Sequence, residues 1–122
     1  MYSVTIKESS KELTKREAIR LKDTSNALKL DEVANESPLV IEPTGFAVLS
    51  IHNDKADNPD YEVYLITAAD GNKYVTGSNS FWSAFADIWT EMVGESEPYS
   101  IEVYKMDSKN YKGKKFLTCS IV

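Results

Sequence analysis

The stretch from Tyr61 to Val93 shows the clearest pattern of apolar and polar positions in the chain. It begins with YEVYLIT, a run of the β-branched and aromatic residues that are typical of strands. Asp70-Gly71 follows and predicts a two-residue type I′ turn, after which KYVTG predicts a second strand. In that register Thr67 faces Tyr74, so Tyr64 and Tyr74 are expected on opposite faces of the hairpin, with at least one of them outward.

The pattern then changes to a helical period. Ser78, Asn79 and Ser80 carry side chains that can cap the first helical N–H groups, and Gly94 is a natural stop. Between them the large apolar residues recur at helical spacing: Phe81, Trp82, Phe85, Ile88, Trp89, Met92 and Val93. This spacing predicts one amphipathic helix whose aromatic side chains pack in the core.

Three further strands are predicted around this unit. LVIEPTGFAVLSIHN is a long strand, bent near Pro43-Thr44-Gly45, while residues 99–106 and 116–122 form the last two. From Ser37 onward the chain is thus mainly β, with one helix between the third and fourth strands. This is the element order of the OB-fold, a five-stranded Greek-key barrel. An open antiparallel sheet with the helix on one face, an α+β arrangement, has the same order and remains the alternative.

The N-terminal part of the chain is less regular. Residues 2–7 alternate as a short strand, and residues 10–22 have a loose helical pattern. We therefore expect residues 1–36 to form an α/β extension packed on an OB-like domain of residues 37–122. An arm used in self-association is a second interpretation of the extension, which would make the protein a homo-oligomer.

The composition indicates one soluble globular domain. The chain has 122 residues, of which 42% are hydrophobic and 27% charged. It lacks a stretch with the apolar length of a membrane span and a signal-peptide pattern, so we expect a cytoplasmic protein without membrane contact.

The charge is unevenly distributed around a net value of −5. Residues 1–30 carry seven basic and four acidic side chains. Residues 31–102 carry two basic and fourteen acidic side chains, and residues 103–122 carry five basic side chains and one acidic side chain. A local basic region matters more to an anionic partner than the total charge does. Lysines that only keep a sheet soluble are the alternative interpretation.

Few residues suggest catalysis or metal binding. The single histidine, His52, has no cysteine or second histidine near it in sequence. The single cysteine, Cys119, lies in the apolar segment FLTCSIV and is expected to be a buried strand residue. Asp54, Asp57 and Asp60 do not have the ligand spacing of an EF-hand loop. We therefore expect no enzyme activity, no metal and no cofactor.

Binding of nucleic acid finds more support. The segment YKMDSKNYKGKKF, residues 104–116, alternates aromatic residues with lysines. Lysines neutralise phosphates while aromatic rings stack on bases, which is how single strands are held. The candidate binding residues come from this segment and from the hairpin: Tyr64, Lys73, Tyr74, Tyr104, Lys105, Lys109, Tyr111, Lys112, Lys114 and Lys115. Tyrosines also favour half-buried strand positions for packing alone, so a structural role stays open for each.

A family resemblance points the same way. KYVTGSNSFWSAFADIW followed by YSIEVYKMDSKNYKGKKFLTCSIV is similar to small single-stranded DNA-binding proteins encoded by bacteriophages and conjugative plasmids of Gram-positive bacteria. The resemblance extends over residues 40–122. It implies an OB-fold protein that coats displaced single strands during replication or transfer and has no enzymatic activity.

The functional expectation is therefore a non-catalytic binder of single-stranded DNA, or of RNA, in the cytoplasm of a bacterial host. The rival hypothesis is a small acidic module that binds a host protein, by mimicking DNA or by blocking an enzyme. The acidic middle of the chain favours this rival directly.

Overall fold

The computed structural model of the chain describes residues 2–55, 57–95, 97–107 and 113–122. These residues contain eight strands and three helices. The strands are β1 (Tyr2–Ser9), β2 (Leu28–Lys29), β3 (Leu39–Ile41), β4 (Pro43–Asn53), β5 (Asp60–Ala68), β6 (Lys73–Thr76), β7 (Ile101–Asp107) and β8 (Lys115–Ile121). The helices are α1 (Lys15–Lys22), α2 (Leu30–Val33) and α3 (Asn79–Met92). The predicted mainly β class is confirmed.

The strands form two sheets. The larger sheet has the order β1-β4-β5-β6-β2, and the smaller sheet has the order β3-β7-β8. Neighbouring strands are antiparallel except for β2 and β6, which run parallel. The chain passes from the smaller to the larger sheet at the β3–β4 junction, since β3 pairs with β7 whereas β4 pairs with β5.

The predicted bend in the long strand is confirmed. The strand is divided into β3 and β4, and the pairing of β4 with β5 shifts register between Pro43 and Gly45. Proline has no N–H to donate to a ladder, and a bulge at this point lets the backbone change direction.

The predicted five-stranded barrel is not confirmed, and the prediction of a single helix between the third and fourth strands is not matched. Within the described residues no ladder joins β6 to β8, so the two sheets do not close on each other. The N-terminal segment adds β1 and β2 to the larger sheet together with two further helices, and the long helix α3 lies between β6 and β7. Element order had not specified which strand edges would pair.

Serine side chains occupy the gap between β6 and β8. Ser80 Oγ donates to the Leu117 carbonyl of β8 at 2.7 Å. Ser78 caps α3, because its Oγ accepts a hydrogen bond from the Phe81 amide at 3.1 Å. A side-chain hydrogen bond therefore satisfies the Leu117 carbonyl at this edge of β8.

The aromatic face of α3 packs between the sheets, as predicted. Phe81 and Phe85 are fully buried. Phe46 of β4 makes edge-to-face contacts with Trp82 and Trp89, each at a centroid distance of 5.3 Å. Such pairs add about 0.5–1.5 kcal/mol each beyond the burial of their area.

The turn of the β5–β6 hairpin differs from the prediction. The Gly71 amide donates to the Ala68 carbonyl at 3.0 Å, and the Ala68 amide donates to the Asn72 carbonyl at 3.1 Å. Gly71 has a φ of 88°, whereas no described residue other than glycine has a positive φ. A type I′ turn would need a positive φ at Asp70 as well. The connection is instead a type I turn followed by a left-handed glycine, a loop of three residues.

The extra loop residue shifts the hairpin register by one position. Ile66 pairs with Tyr74, and Tyr64 pairs with Thr76. A shift of one residue moves a side chain to the other face of the sheet. Tyr64 and Tyr74 therefore lie on the same face, and the prediction that one of them points outward is wrong.

The N-terminal segment covers the other face of the larger sheet. A second buried cluster, consisting of Ala47, Leu49 and Leu65, is packed by Val4 and Ile6 of β1 and by Leu21 of α1. Leu30 of α2 reaches the main core, where it is fully buried. The division of the chain at residue 36 stays a prediction, although residues on both sides of it share one core.

We expect Leu30→Ala to lower the free energy of unfolding by roughly 2–5 kcal/mol, since it leaves a cavity in the main core. Val33→Ala in the same helix is the matched control, because Val33 is 37% exposed. It should cost less than about 1 kcal/mol. Urea unfolding measures both values. Equal values for the two variants would contradict the placement of Leu30 in the core.

Candidate nucleic-acid interface

The two hairpin tyrosines are buried. Tyr64 is 7% exposed and Tyr74 is 3% exposed. The Tyr64 ring stacks on Trp82 at a centroid distance of 4.7 Å, and its hydroxyl donates to Asn79 Oδ1 at 2.8 Å. The Tyr74 hydroxyl donates to Asp70 Oδ2 at 3.0 Å. Burial raises the pKa of both phenols. Neither ring has a face available to a base, because the register places both toward α3.

Lys73 has a structural role that the sequence did not indicate. Its Nζ donates to the Arg20 carbonyl at 2.8 Å and to the Asp23 carbonyl at 2.7 Å. These carbonyls lie at the C-terminus of α1, where helical carbonyls lack partners and a cation is favourable. Lys73 therefore fixes α1 against the larger sheet and is not placed with the other candidate lysines.

Tyr104 and Lys105 lie on opposite faces of β7, as alternation requires. Both side chains are half-buried. The Tyr104 hydroxyl shares a hydrogen bond of 2.7 Å with Ser120 Oγ on the outer face of the smaller sheet. Lys105 Nζ donates to Asn35 Oδ1 at 2.9 Å.

Two more candidate lysines lie where β8 begins. Lys114 and Lys115 are exposed. Tyr104, Lys105 and Lys115 line one shallow cleft of about 120 Å³ beside residues 34–38. The structure thus brings these three predicted residues together at one end of the smaller sheet. The other candidates from this segment, Lys109, Tyr111 and Lys112, lie outside the described residues.

Phe116 is a candidate that the sequence reasoning did not select. It is 37% exposed, and it pairs with Met106, which is 45% exposed. Tyr104 pairs with Thr118, so Tyr104 and Phe116 are diagonal neighbours on the outer face of the smaller sheet. The signal was present in the alternation of β8, since inward Leu117 requires Phe116 to point outward.

We call this region the sheet–hairpin surface. It consists of Tyr104, Met106, Lys114, Lys115 and Phe116. Partly exposed aromatic rings together with exposed ammonium groups at one end of a sheet can stack on bases and neutralise phosphates at the same time.

His52 and Cys119 are the two residues that the sequence analysis considered for metal binding or catalysis. His52 Nδ1 lies 2.7 Å from Asp60 Oδ1, and its Nε2 contacts Asp54 Oδ1. These carboxylates, Asp60 first, raise the pKa of His52 above its ordinary value. Cys119 is buried, and burial raises the pKa of its thiol to about 12. A thiol with such a pKa is not a nucleophile near neutral pH.

Within the described ranges no group of three or more histidine, cysteine, aspartate or glutamate side chains could hold a metal ion. In the same part of the chain, no helix has the length and apolar character needed to cross a membrane. Comparison with known proteins found no matching family model, no matching curated protein and no matching solved structure.

The position of His52 between two carboxylates predicts a pH-dependent contribution to stability. A raised pKa in the folded state means that this contribution is complete below the unfolded pKa of about 6.5 and is lost as the pH rises through the folded pKa. Histidine NMR titration should show a pKa above 6.5 that falls in Asp60→Asn. In His52→Gln, the stability lost over this pH window should become smaller. An unchanged titration in Asp60→Asn would contradict the pairing.

Proposed function

We propose that the protein is a non-catalytic binder of single-stranded DNA that uses the sheet–hairpin surface. The observation that carries this proposal is that the half-buried Tyr104 and the 37% exposed Phe116 are diagonal neighbours on the outer face of the smaller sheet, with the exposed Lys114 and Lys115 where β8 begins. The two hairpin tyrosines and Lys73 are left out of the proposed site, because each is engaged in the fold.

Stacking on these rings requires bases that are not paired. A base in a duplex is stacked on both sides and presents no free face, whereas a single strand can open its bases onto a flat surface. Each stacked base contributes roughly 1–3 kcal/mol, whatever its sequence. The surface therefore fits a protein that coats single strands in general, RNA included. The resemblance to single-strand binders of phages and plasmids adds the setting that we propose, the replication or transfer of such an element in the bacterial cytoplasm.

We further propose that the two sheets are related as the halves of an open OB-like barrel. The β3–β4 strand shared by both sheets and the position of α3 beside the serine-bridged gap support this relation. In OB-folds, ligands use the outer face of the second and third strands and the loop between the last two. Here α1 packs with Leu21 over a cluster on the outer face that includes Leu65 of β5, while β1 extends the same sheet beside β4. The binding site for single strands would thus lie on the β7–β8 hairpin instead of on the outer face of β5 and β6.

A second candidate is an acidic surface that binds a host protein. Asp87 and Glu91 are exposed on α3, and Asp54, Asp57 and Asp60 are exposed beside β5. Surfaces of this charge attract basic partners. The same charges would repel DNA, so the two candidates make opposite predictions for lysine substitutions on the sheet–hairpin surface.

Lys115→Glu should weaken binding to labelled oligo-dT, measured by fluorescence anisotropy, by about tenfold at low salt. It should also reduce the slope of log affinity against log salt by about 0.7, the value for one phosphate contact on a single strand. Lys55→Glu is the matched control, since it changes the net charge equally in the acidic region. Equal losses in both variants would contradict the assigned site. Absence of wild-type binding at low salt would contradict the proposal, and the acidic surface that binds a host protein would then be the better candidate.

Phe116→Leu should weaken the same binding by about 5–150-fold, the equivalent of one lost stacking contact. Leucine keeps an apolar side chain but has no ring. Phe116→Tyr keeps the ring and should bind nearly as the wild type does. Far-ultraviolet circular dichroism checks that both variants fold. If Phe116→Leu and wild type bind equally well, Phe116 does not stack on a base.

A further inference from the structure

The outward face of α1 is basic around a single apolar side chain. Lys15, Ile19 and Lys22 follow one another at helical spacing, so they lie on one strip of the helix. Ile19 is 66% exposed. Arg16 and Arg20 are also exposed, whereas Leu21 points to the larger sheet. The proposed DNA site does not use this face, and the isoleucine at its centre contributes little to the packing of the fold, because most of its surface is exposed.

A cleft of complementary character lies elsewhere on the same chain. It has a volume of about 230 Å³ and runs between α3 and the end of β8. Its apolar lining comes from Ile88, Met92 and Ile121, and Ile121 is 49% exposed. Asp87 and Glu91 also line it and are exposed. The cleft thus combines an apolar floor with a negative rim.

We propose that α1 of one copy of the protein docks into the α3–β8 cleft of a second copy. Ile19 enters the cleft against Ile88, Met92 and Ile121. Lys15 and Lys22, on either side of Ile19, then face the carboxylates of Asp87 and Glu91. Opposite charges around an apolar contact set both the orientation and the choice of partner.

Charge complementarity selects a second copy over other occupants. The cleft repels nucleic acid, because its rim is acidic. The basic strip of α1 alone would suit a phosphate backbone, but phosphates offer no apolar contact for Ile19. Both required surfaces are on this chain, so no further partner is needed. Within one copy α1 contacts β1 and the larger sheet, whereas the cleft is on the outer side of α3 and β8. The helix α1 therefore does not fill the cleft of its own copy.

The contact is heterologous, since two different surfaces meet. Such contacts continue from copy to copy and form open chains or rings. If the protein also binds single strands as proposed above, neighbouring copies on one strand would bind cooperatively. That consequence rests on the proposed function, while the docking itself does not.

The test is sedimentation velocity over a wide concentration range, at low and high salt and without DNA. The wild type should self-associate at low salt and dissociate as salt screens the lysine–carboxylate contacts. Ile19→Glu blocks the helix face, and Asp87→Lys with Glu91→Lys blocks the cleft. Each variant alone should associate at least about tenfold more weakly, because it loses the burial of Ile19 or opposes like charges. Val40→Glu is the matched control, since Val40 is 56% exposed on the smaller sheet.

Mixing the two blocked variants distinguishes this contact from any other. Each retains the surface that the other has lost, so an equal mixture should form dimers and nothing larger. Failure of the mixture to dimerise would overturn the proposal, as would a monomeric wild type at low salt or undiminished association of Ile19→Glu. All altered side chains are exposed, and circular dichroism checks the fold. Anisotropy with a short oligonucleotide tests DNA binding separately, and Ile19→Glu should bind it as the wild type does.

Discussion

The packing of α3 against both sheets is the contact on which the rest of the structure depends. Trp82 is in contact with Phe46 of β4 and with Tyr64 of β5, and Phe85 is buried beneath it. On its other side α3 lies against β8, where Ser80 bonds to the Leu117 carbonyl. Since no described ladder closes the two sheets, the contacts of α3 hold them in one orientation, together with the β3–β4 segment that runs from one sheet into the other. The position of the β7–β8 hairpin relative to the larger sheet follows from this packing.

The N-terminal segment has a second structural effect. By contributing β1, Leu21 and Leu30, it buries apolar surface on both faces of the larger sheet. Sheets covered on both faces have little surface left for a ligand. The smaller sheet keeps an outer face with Val40, Met106 and Phe116 exposed. Exposed apolar groups in one place indicate an interaction surface more strongly than scattered ones do. For this reason the candidate site lies on the smaller sheet.

One additional residue in the hairpin loop determines that Tyr64 and Tyr74 lie on the same face of the sheet. The sequence favours a hairpin at Asp70-Gly71, and the structure confirms a tight turn there. Two-residue and three-residue loops share the same Asp-Gly signal, but they place the following strand in registers that differ by one. The longer loop places Tyr74 opposite Ile66 in the main core, on the same face as Tyr64, which stacks on Trp82. Local sequence could not distinguish the two loops.

The sequence by itself determined the elements with strong periodicity: the strands around residues 39–53, 60–68, 101–107 and 115–121, and helix α3 with its serine cap. These depend on local spacing and on capping chemistry, which act over a few residues. The apolar segment around Cys119 also predicted that this residue is buried in a strand.

Only the tertiary structure decided which strand edges pair, which face of the larger sheet is covered, and that Lys73 binds the carbonyls at the end of α1. These features join residues far apart in the chain, such as Lys73 and Arg20. Burial and hydrogen bonds that form only when the whole core is assembled stabilise these features. For this reason no local sequence pattern predicts them.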